Sequence, residues 1–367
     1  PHNHIDGVSE LQILSVRRRK IMIRSALRKL TTGGHLQEDE ISTIIGGIRS
    51  GEITDVQIAG FLVALLMKGP TVREVAATAR AMRANCERIS PKIEGDLLDT
   101  CGTGGGRTTF NCSSAVAVVA AAGGAAVAKH GSRSLSSLSG SADVLEKLGV
   151  AIDLSPRQAE RLIETTGISF LYAPNFHPVM HRVLPPEMAL GIKTIFYTII
   201  GPLINPADAK CHVLGVYRPE LVEMVADILV ELGFKHAMVV HGLDGLDEMS
   251  VIGKTTVAEV KDGWAKKYEI TPEQLGLPRS TYEELAGGTP QENADILRGI
   301  FRGELRDARR DMVLANAAAA LTVSGKADDL RAGVKMAADL IDRGAAEEKL
   351  REWIEQSNRI VQSENTK

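Results

Sequence analysis

The chain has 367 residues, 44% of them hydrophobic and 24% charged, an ordinary globular composition with room for two domains. A formal net charge of -3 and a pI near 6.4 argue against a nucleic-acid binder that relies on a broad basic surface, while leaving room for a local basic pocket. Cys86, Cys101, Cys112 and Cys211 lie far apart with no CxxC pair, so neither a disulfide framework nor a zinc site is expected, and a reducing cytoplasm is the expected compartment.

Residues 1–19 read as a tail. No signal peptide is expected there, because Arg17, Arg18, Arg19 and Lys20 precede an amphipathic helix rather than an apolar core segment. Ile21, Ala26, Leu27 and Leu30 recur at helical spacing, and Gly33-Gly34 ends that helix. A second helical period covers Ile41 to Ile48. A third, from Thr54 to Met67, is apolar around most of its surface but too short to span a bilayer. Thr71 and Glu74 form a capping box for a fourth helix through Arg83.

Past Gly95 short apolar runs alternate with helical periods: Leu97-Leu98-Asp99, Ser114 to Ala122, Ala125 to Ala128, then Ala142 to Leu148. This alternation predicts βαβ units and a mostly parallel sheet. Ser155-Pro156 with Gln158 marks another helix start. Further strands are expected at Cys211–Tyr217, His236–Val240, Val257–Val260 and Lys267–Ile270. Helices are expected at Asp307–Val323 and Leu330–Ile341, before a polar tail from Gln356. The expected fold class is α/β: a small all-helical N-terminal domain, then a large α/β domain whose mostly parallel central sheet is flanked by helices.

Three loops carry chemistry. Gly102-Thr103-Gly104-Gly105-Gly106 lies between a strand and a helix, where glycines let backbone N–H groups approach an anion and the helix start adds its dipole. It lacks the Lys-Ser/Thr ending of an ATP-binding loop and the spacing of a dinucleotide fold. Asn111, Ser113 and Ser114 stand where side chains cap that helix or meet phosphate oxygens. The second loop follows Ala125–Ala128 and holds Lys129, Arg133 and a run of hydroxyls, Ser136-Ser137 and Ser139-Gly140-Ser141 among them. Two anion-suited loops at the carboxyl edge of neighbouring strands point to a ligand with two phosphate groups. The third, His241 to Glu248, supplies carboxylates: Asp244-Gly245 suits an Asx-type turn, and Asp247 with Glu248 suits Mg²⁺ bridged to phosphate.

Taken in order, Gly102-Thr103-Gly104-Gly105, Thr109-Phe110-Asn111, Lys129-His130-Gly131, Ser139-Gly140-Ser141, His177-Pro178, Gly201-Pro202-Leu203, Asn205-Pro206 and Asp247-Glu248 closely resemble the anthranilate phosphoribosyltransferase family, over about Lys20 to Asn358. The resemblance implies a helical domain at 20–92, joined by a returning segment at about 180–203. It implies an α/β domain at 93–179 and 204–358, a tail at 359–367, and a homodimer formed through the helical domains. Phosphoribosyl pyrophosphate would lie against Gly102, Thr103, Gly104, Gly105, Thr109, Asn111, Ser113, Ser114, Lys129 and Ser141. Mg²⁺ would sit with Ser113, Asp247 and Glu248, and His130, Ser132, His177, Glu187 and Tyr197 would face the acceptor.

The implied reaction moves a phosphoribosyl group onto the amine of anthranilate, with pyrophosphate leaving. A neutral arylamine is already a nucleophile, so Lys129, Asp247 and Glu248 act by charge and position, without a covalent residue. The acceptor side departs from the family pattern. Ser132 replaces the usual Asn, Glu187 stands where an arginine meets the anthranilate carboxylate, Tyr197 replaces Asn, and the glycine-rich loop lacks an Asp after Gly105. Two alternatives accompany this reading. One is a phosphoribosyltransferase acting on another aromatic amine or N-heterocycle. The other is a non-catalytic, nucleic-acid-binding paralogue, which the acidic pI disfavours. No membrane partner is expected.

Overall fold

The computed structural model describes residues 10–134 and 138–365. The chain divides into two compact units, one made of the residues up to Cys86 with His177–Ile200, the other of Glu87–Phe176 with the residues from Gly201 on. Among the described residues no helix is long and apolar enough to cross a membrane.

The first unit is helical, with helices at Glu10–Thr31, Glu38–Arg49, Asp55–Lys68, Val72–Ala84 and Pro178–Leu190. The basic run Arg17–Lys20 lies inside the first helix rather than ahead of it. Capping boxes start two of them: the Thr54 and Thr71 hydroxyls accept the backbone N–H groups of Gln57 and Glu74, whose side chains bond back. Ile23, Ile41, Ile44 and Phe61 are fully buried, and Phe61 meets Phe196 edge-to-face at 6.4 Å. The side chain of Glu74 is buried against that of Lys68, and it also accepts from the backbone of Leu36 and Thr71 at 2.9 Å each. A carboxylate at this depth needs all of those donors.

The second unit is built on seven strands, β1 (Leu97–Asp99), β2 (Ala126–Gly131), β3 (Ile168–Tyr172), β4 (Cys211–Gly215), β5 (His236–Gly242), β6 (Thr255–Lys261) and β7 (Trp264–Ile270). Their order is β3-β2-β1-β4-β5-β6-β7, parallel from β3 to β5, with β6 and β7 antiparallel at one edge. This is the α/β class expected from the alternating pattern. The strand order reverses between β1 and β4, and such a switch point opens a crevice beyond the strands' carboxyl ends.

Three local differences matter. β2 runs on past Ala128 through Lys129 and His130, so these two belong to the sheet rather than to a loop. β3 was not signalled, because its five-residue run follows directly on the helix Pro156–Thr166 and its Gly167 cap. The segment from Gln356 is no tail: a helix runs over Ala345–Asn365 and buries Leu350, Trp353 and Ser357, leaving its polar face outward. The helices Leu221–Glu231 and Pro290–Phe301 also lay outside the expected set.

One carboxylate joins the central strands. Asp99, fully buried at the end of β1, accepts from the backbone N–H groups of Thr100 (2.7 Å), Cys101 (3.1 Å) and His130 (3.1 Å), and from Asn205 Nδ2 (2.8 Å). Asn205 in turn donates to Ala128 O at 2.8 Å. Asp99→Asn would set an amide N–H against a donor at the Asn205 position. We expect it to lower unfolding free energy by about 2–4 kcal/mol in urea titration, and a variant as stable as the parent would show that Asp99 does not hold the strand ends together.

Candidate active site

The glycine-rich loop after β1 is packed backbone to backbone. A Cβ on Gly102 would lie 3.0 Å from Gly215 O, and one on Gly106 would lie 2.9 Å from Asp247 N. Gly104 and Gly105 take left-handed φ values of 63° and 86°, which a side chain would strain. Two bonds staple the loop down, Thr103 N to Gly215 O and Arg107 N to Gly245 O, each 2.9 Å. The Arg107 guanidinium sits 3.7 Å over the Tyr282 ring, and the Tyr282 hydroxyl donates to Thr108 O at 2.7 Å.

Asn111 precedes the helix Cys112–Ala122 but does not cap it with its side chain. Its Nδ2 donates to Ser139 O at 3.1 Å, while its Oδ1 accepts from Ser139 Oγ and Asn293 Nδ2 at 2.8 Å each. Ser113 is half-buried in the first turn of the helix, and Ser114 is buried beside it. Lys129 is buried on β2, with Nζ 3.3 Å from Thr100 Oγ1 and 3.4 Å from Ser113 Oγ. The lysine and the helix start are thus brought together from separate strands.

His130 is buried next to Lys129, with Nδ1 3.2 Å from Gly201 O. Burial drives its pKa down to about 4, so the imidazole is neutral at physiological pH. Ser132 donates to Arg133 O at 3.1 Å, and Ser141 to Ser132 O at 3.4 Å. Arg133, read as an anion ligand beside Lys129, instead pairs with Asp143 at 2.9 Å and Glu146 at 3.0 Å on the helix Ser141–Leu148. Those carboxylates stand only 10 and 13 residues further along the chain, so the arginine ties its loop to that helix. Ser136 and Ser137 lie outside the described residues.

Asp244 is a turn residue: its Oδ1 accepts from Leu246 N at 3.2 Å, its Oδ2 bonds the Ser250 hydroxyl, and Gly245 follows with a φ of 96°. Asp247 and Glu248 come next, half-buried, and Thr109 Oγ1 lies 3.4 Å from Glu248 Oε2. Desolvation raises both carboxyl pKa values, and for Glu248 the charge of Asp247 adds to it. Asn316 clamps the following residue, accepting from Met249 N at 2.8 Å and donating to Met249 O at 2.9 Å. Tyr282, Asn293 and Asn316 were not singled out in the sequence, because their neighbours at the loops arrive only through long-range packing.

Two adjacent, desolvated carboxylates beside the Thr109 hydroxyl form an all-oxygen donor set suited to Mg²⁺. Among the described residues no cluster of three or more His, Cys, Asp or Glu side chains could hold a metal by itself. That partial shell fits an ion that keeps waters and takes phosphate oxygens as ligands.

The remaining residues expected at the acceptor lie in the helical unit. His177 is buried just before Pro178 at the start of its helix. Glu187 is buried on that helix and accepts from Thr194 N at 2.6 Å through Oε1. Tyr197 stands beside Lys193, whose Nζ is 5.0 Å from the ring centroid.

The glycine-rich loop, the buried lysine and the paired carboxylates at the switch point of this sheet belong to a chain of the glycosyl transferase family. Residues 94–347 match the α/β domain of the glycosyl transferase family and residues 24–86 its helical bundle domain. The chain is 47% identical over 341 residues to the anthranilate phosphoribosyltransferase of Acetivibrio thermocellus, covering 93% of this chain and 98% of that one. It is 49% identical over 338 residues to that of Desulfosudis oleivorans, with 91% and 98% covered. The crystal structure of the Thermus thermophilus enzyme superposes with a TM-score of 0.85 at 41% identity, over 91% of this chain and 99% of that one. The Saccharomyces cerevisiae enzyme in complex with PRPP and Mg gives 0.83 at 28% identity, over 93% and 99%. The chain belongs to the anthranilate phosphoribosyltransferase family.

The raised Glu248 pKa has a thermodynamic sign. The folded state keeps that proton to higher pH than the unfolded chain, so the carboxyl's contribution to stability is present at low pH. It is lost as pH rises from the usual carboxylate value through the raised one. Glu248→Gln removes that loss. With EDTA present, the variant should be more stable than the parent at high pH, and acidification should close the gap. A gap that widens on acidification in denaturant titrations would contradict the assignment.

Proposed function

We propose that this protein transfers the phosphoribosyl group from phosphoribosyl pyrophosphate to anthranilate, giving N-(5-phosphoribosyl)anthranilate and pyrophosphate for tryptophan biosynthesis. The observation that carries the reading is the meeting of Lys129, the Gly102–Gly106 loop and the Asp247-Glu248 pair on one sheet edge, in a chain of this family. The donor rests against Gly102, Thr103, Gly104, Gly105, Thr109, Asn111, Ser113, Ser114 and Ser141. Lys129 and the loop N–H groups stabilise charge as it grows on the leaving pyrophosphate. Mg²⁺, when held by Ser113, Asp247 and Glu248, supplies further neutralisation and fixes the phosphate geometry. The yeast relative's complex with PRPP and Mg supports a donor and a metal of these kinds.

The acceptor amine attacks the anomeric carbon of the ribose. The neutral His130 imidazole, with Nδ1–H turned to Gly201 O, is one member of the proposed acceptor set. Ser132, His177, Glu187 and Tyr197 complete the proposed acceptor set. Glu187 is the observation favouring a second reading, another aromatic amine or N-heterocycle as acceptor, because a buried carboxylate is a poor neighbour for a benzoate.

The division into a helical domain at 20–92 with 180–203 and an α/β domain over 93–179 and 204–358 draws support from the two compact units. A cytoplasmic setting agrees with the four free cysteines. A homodimer through the helical domain draws support from apolar side chains left in the open there: Val56 is 83% exposed, Met67 80%, Met188 64% and Ile21 59%.

Pyrophosphate release measured with phosphoribosyl pyrophosphate, Mg²⁺ and a panel of aromatic amines tests the reaction. Anthranilate should turn over with kcat/KM of about 10⁴ M⁻¹s⁻¹ or more, and Lys129→Met should lower it by about 100-fold or more. Turnover of another amine in place of anthranilate would establish the second reading. For the dimer, Val56→Asp with Met67→Asp should yield monomers by analytical ultracentrifugation, and an unchanged mass would rule out this face.

A further inference from the structure

We propose that Asn293 is a positioning residue for donor binding, one that sets the direction of the Asn111 amide from outside the site. The proposal rests on the placement of Asn111 at the phosphoribosyl pyrophosphate site. Asn293 is buried on the helix Pro290–Phe301, 182 residues from Asn111 in the chain.

The argument is one of donors and acceptors. The backbone N–H of Gly288 can only donate, and it points at Asn293 Oδ1 from 2.8 Å. Asn293 must therefore turn its Nδ2 toward Asn111, whose Oδ1 lies 2.8 Å away. Ser139 Oγ donates to the same oxygen at 2.8 Å, which fills both of its lone-pair directions. Asn111 Nδ2 then gives one hydrogen to Ser139 O at 3.1 Å and holds the other for a ligand. The amide thus shows a donor, which phosphate and ribose hydroxyl oxygens require, and not its carbonyl, which would repel them.

The start of the relay is rigid. Gly287 packs so closely that a Cβ there would lie 2.7 Å from Phe110 Cα and from Thr109 O, and 2.8 Å from Asn293 Oδ1. The turn, Asn293 and the Thr109–Asn111 backbone therefore hold one another in register. An asparagine side chain has two nearly isosteric orientations, and only its hydrogen-bond partners choose between them. A residue that fixes the choice costs the ligand nothing on binding.

Asn293→Asp tests this in the full-length enzyme. Its carboxylate still accepts from Gly288 N, but its second oxygen now draws the Asn111 amide round and turns the carbonyl toward the donor site. We expect the KM and the calorimetric Kd for phosphoribosyl pyrophosphate with Mg²⁺ to rise about 10- to 100-fold, with the KM for the acceptor and kcat near their parent values. In an Asn111→Ala background the same substitution should add nothing. Asn293→Ala, which buries no new charge, should act in the same direction, more weakly, and with the same dependence on Asn111; it serves if the aspartate variant does not fold. An unchanged KM for phosphoribosyl pyrophosphate in folded Asn293 variants, or an equal rise with and without Asn111, overturns the proposal while leaving the donor site intact. An Asn111→Ala enzyme with parental donor KM removes Asn111 from the site and the proposal with it.

Discussion

Asp99, fully buried, takes four hydrogen bonds at a point where β1, β2 and the Asn205 turn converge. Its position determines where the glycine-rich loop leaves the sheet and where β2 presents Lys129 and His130. A carboxylate does this better than a neutral side chain because it accepts from every direction and its bonds are charge-assisted. The chain thereby spends a buried charge on aiming two ligand-binding segments, a use in which loss of direction matters more than loss of stability.

The surrounding site is built on close approach and incompletely compensated charge. Gly102, Gly106 and Gly215 lack side chains because loop and strand backbones occupy that space, and Gly215 would place a Cβ only 1.6 Å from Asp247 O. Lys129 finds two neutral hydroxyls as hydrogen-bond partners, and Asp247 and Glu248 are pushed toward their protonated forms. Charges held this way are costly in the free protein and become favourable when an anion and a divalent cation arrive together. Arg133 and Asp244 show the contrast: each finds its partners a short way along the chain, and each serves the fold.

Most of the architecture was legible in local signals. Capping boxes at Thr71 and Ser155, glycine stops and the alternation after Gly95 located helices and strands to within a few residues, because these depend on neighbours in sequence. β3 and the helix from Ala345 escaped for opposite reasons. Ile168–Tyr172 is too short to show a period, and the last helix hides its apolar stripe among polar residues. The reach of β2 through Gly131 was missed because lysine and histidine end an apolar run in composition but not in hydrogen bonding, since β3 pairs with both.

By itself the sequence determined the α/β class, the phosphate-suited loop, the carboxylate pair and the family to which these motifs belong, because each is a short run whose chemistry is local. Only the tertiary structure decided which charges serve the ligand. Lys129 and Arg133 look alike along the chain, yet burial on β2 gives one to the site, and Asp143 and Glu146 take the other. It likewise decided that Asn293 holds Asn111 and that Asn316 holds Met249, next to Glu248. Those contacts join segments 182 and 67 residues apart, and no local pattern encodes a hydrogen bond that exists only after the helices have packed.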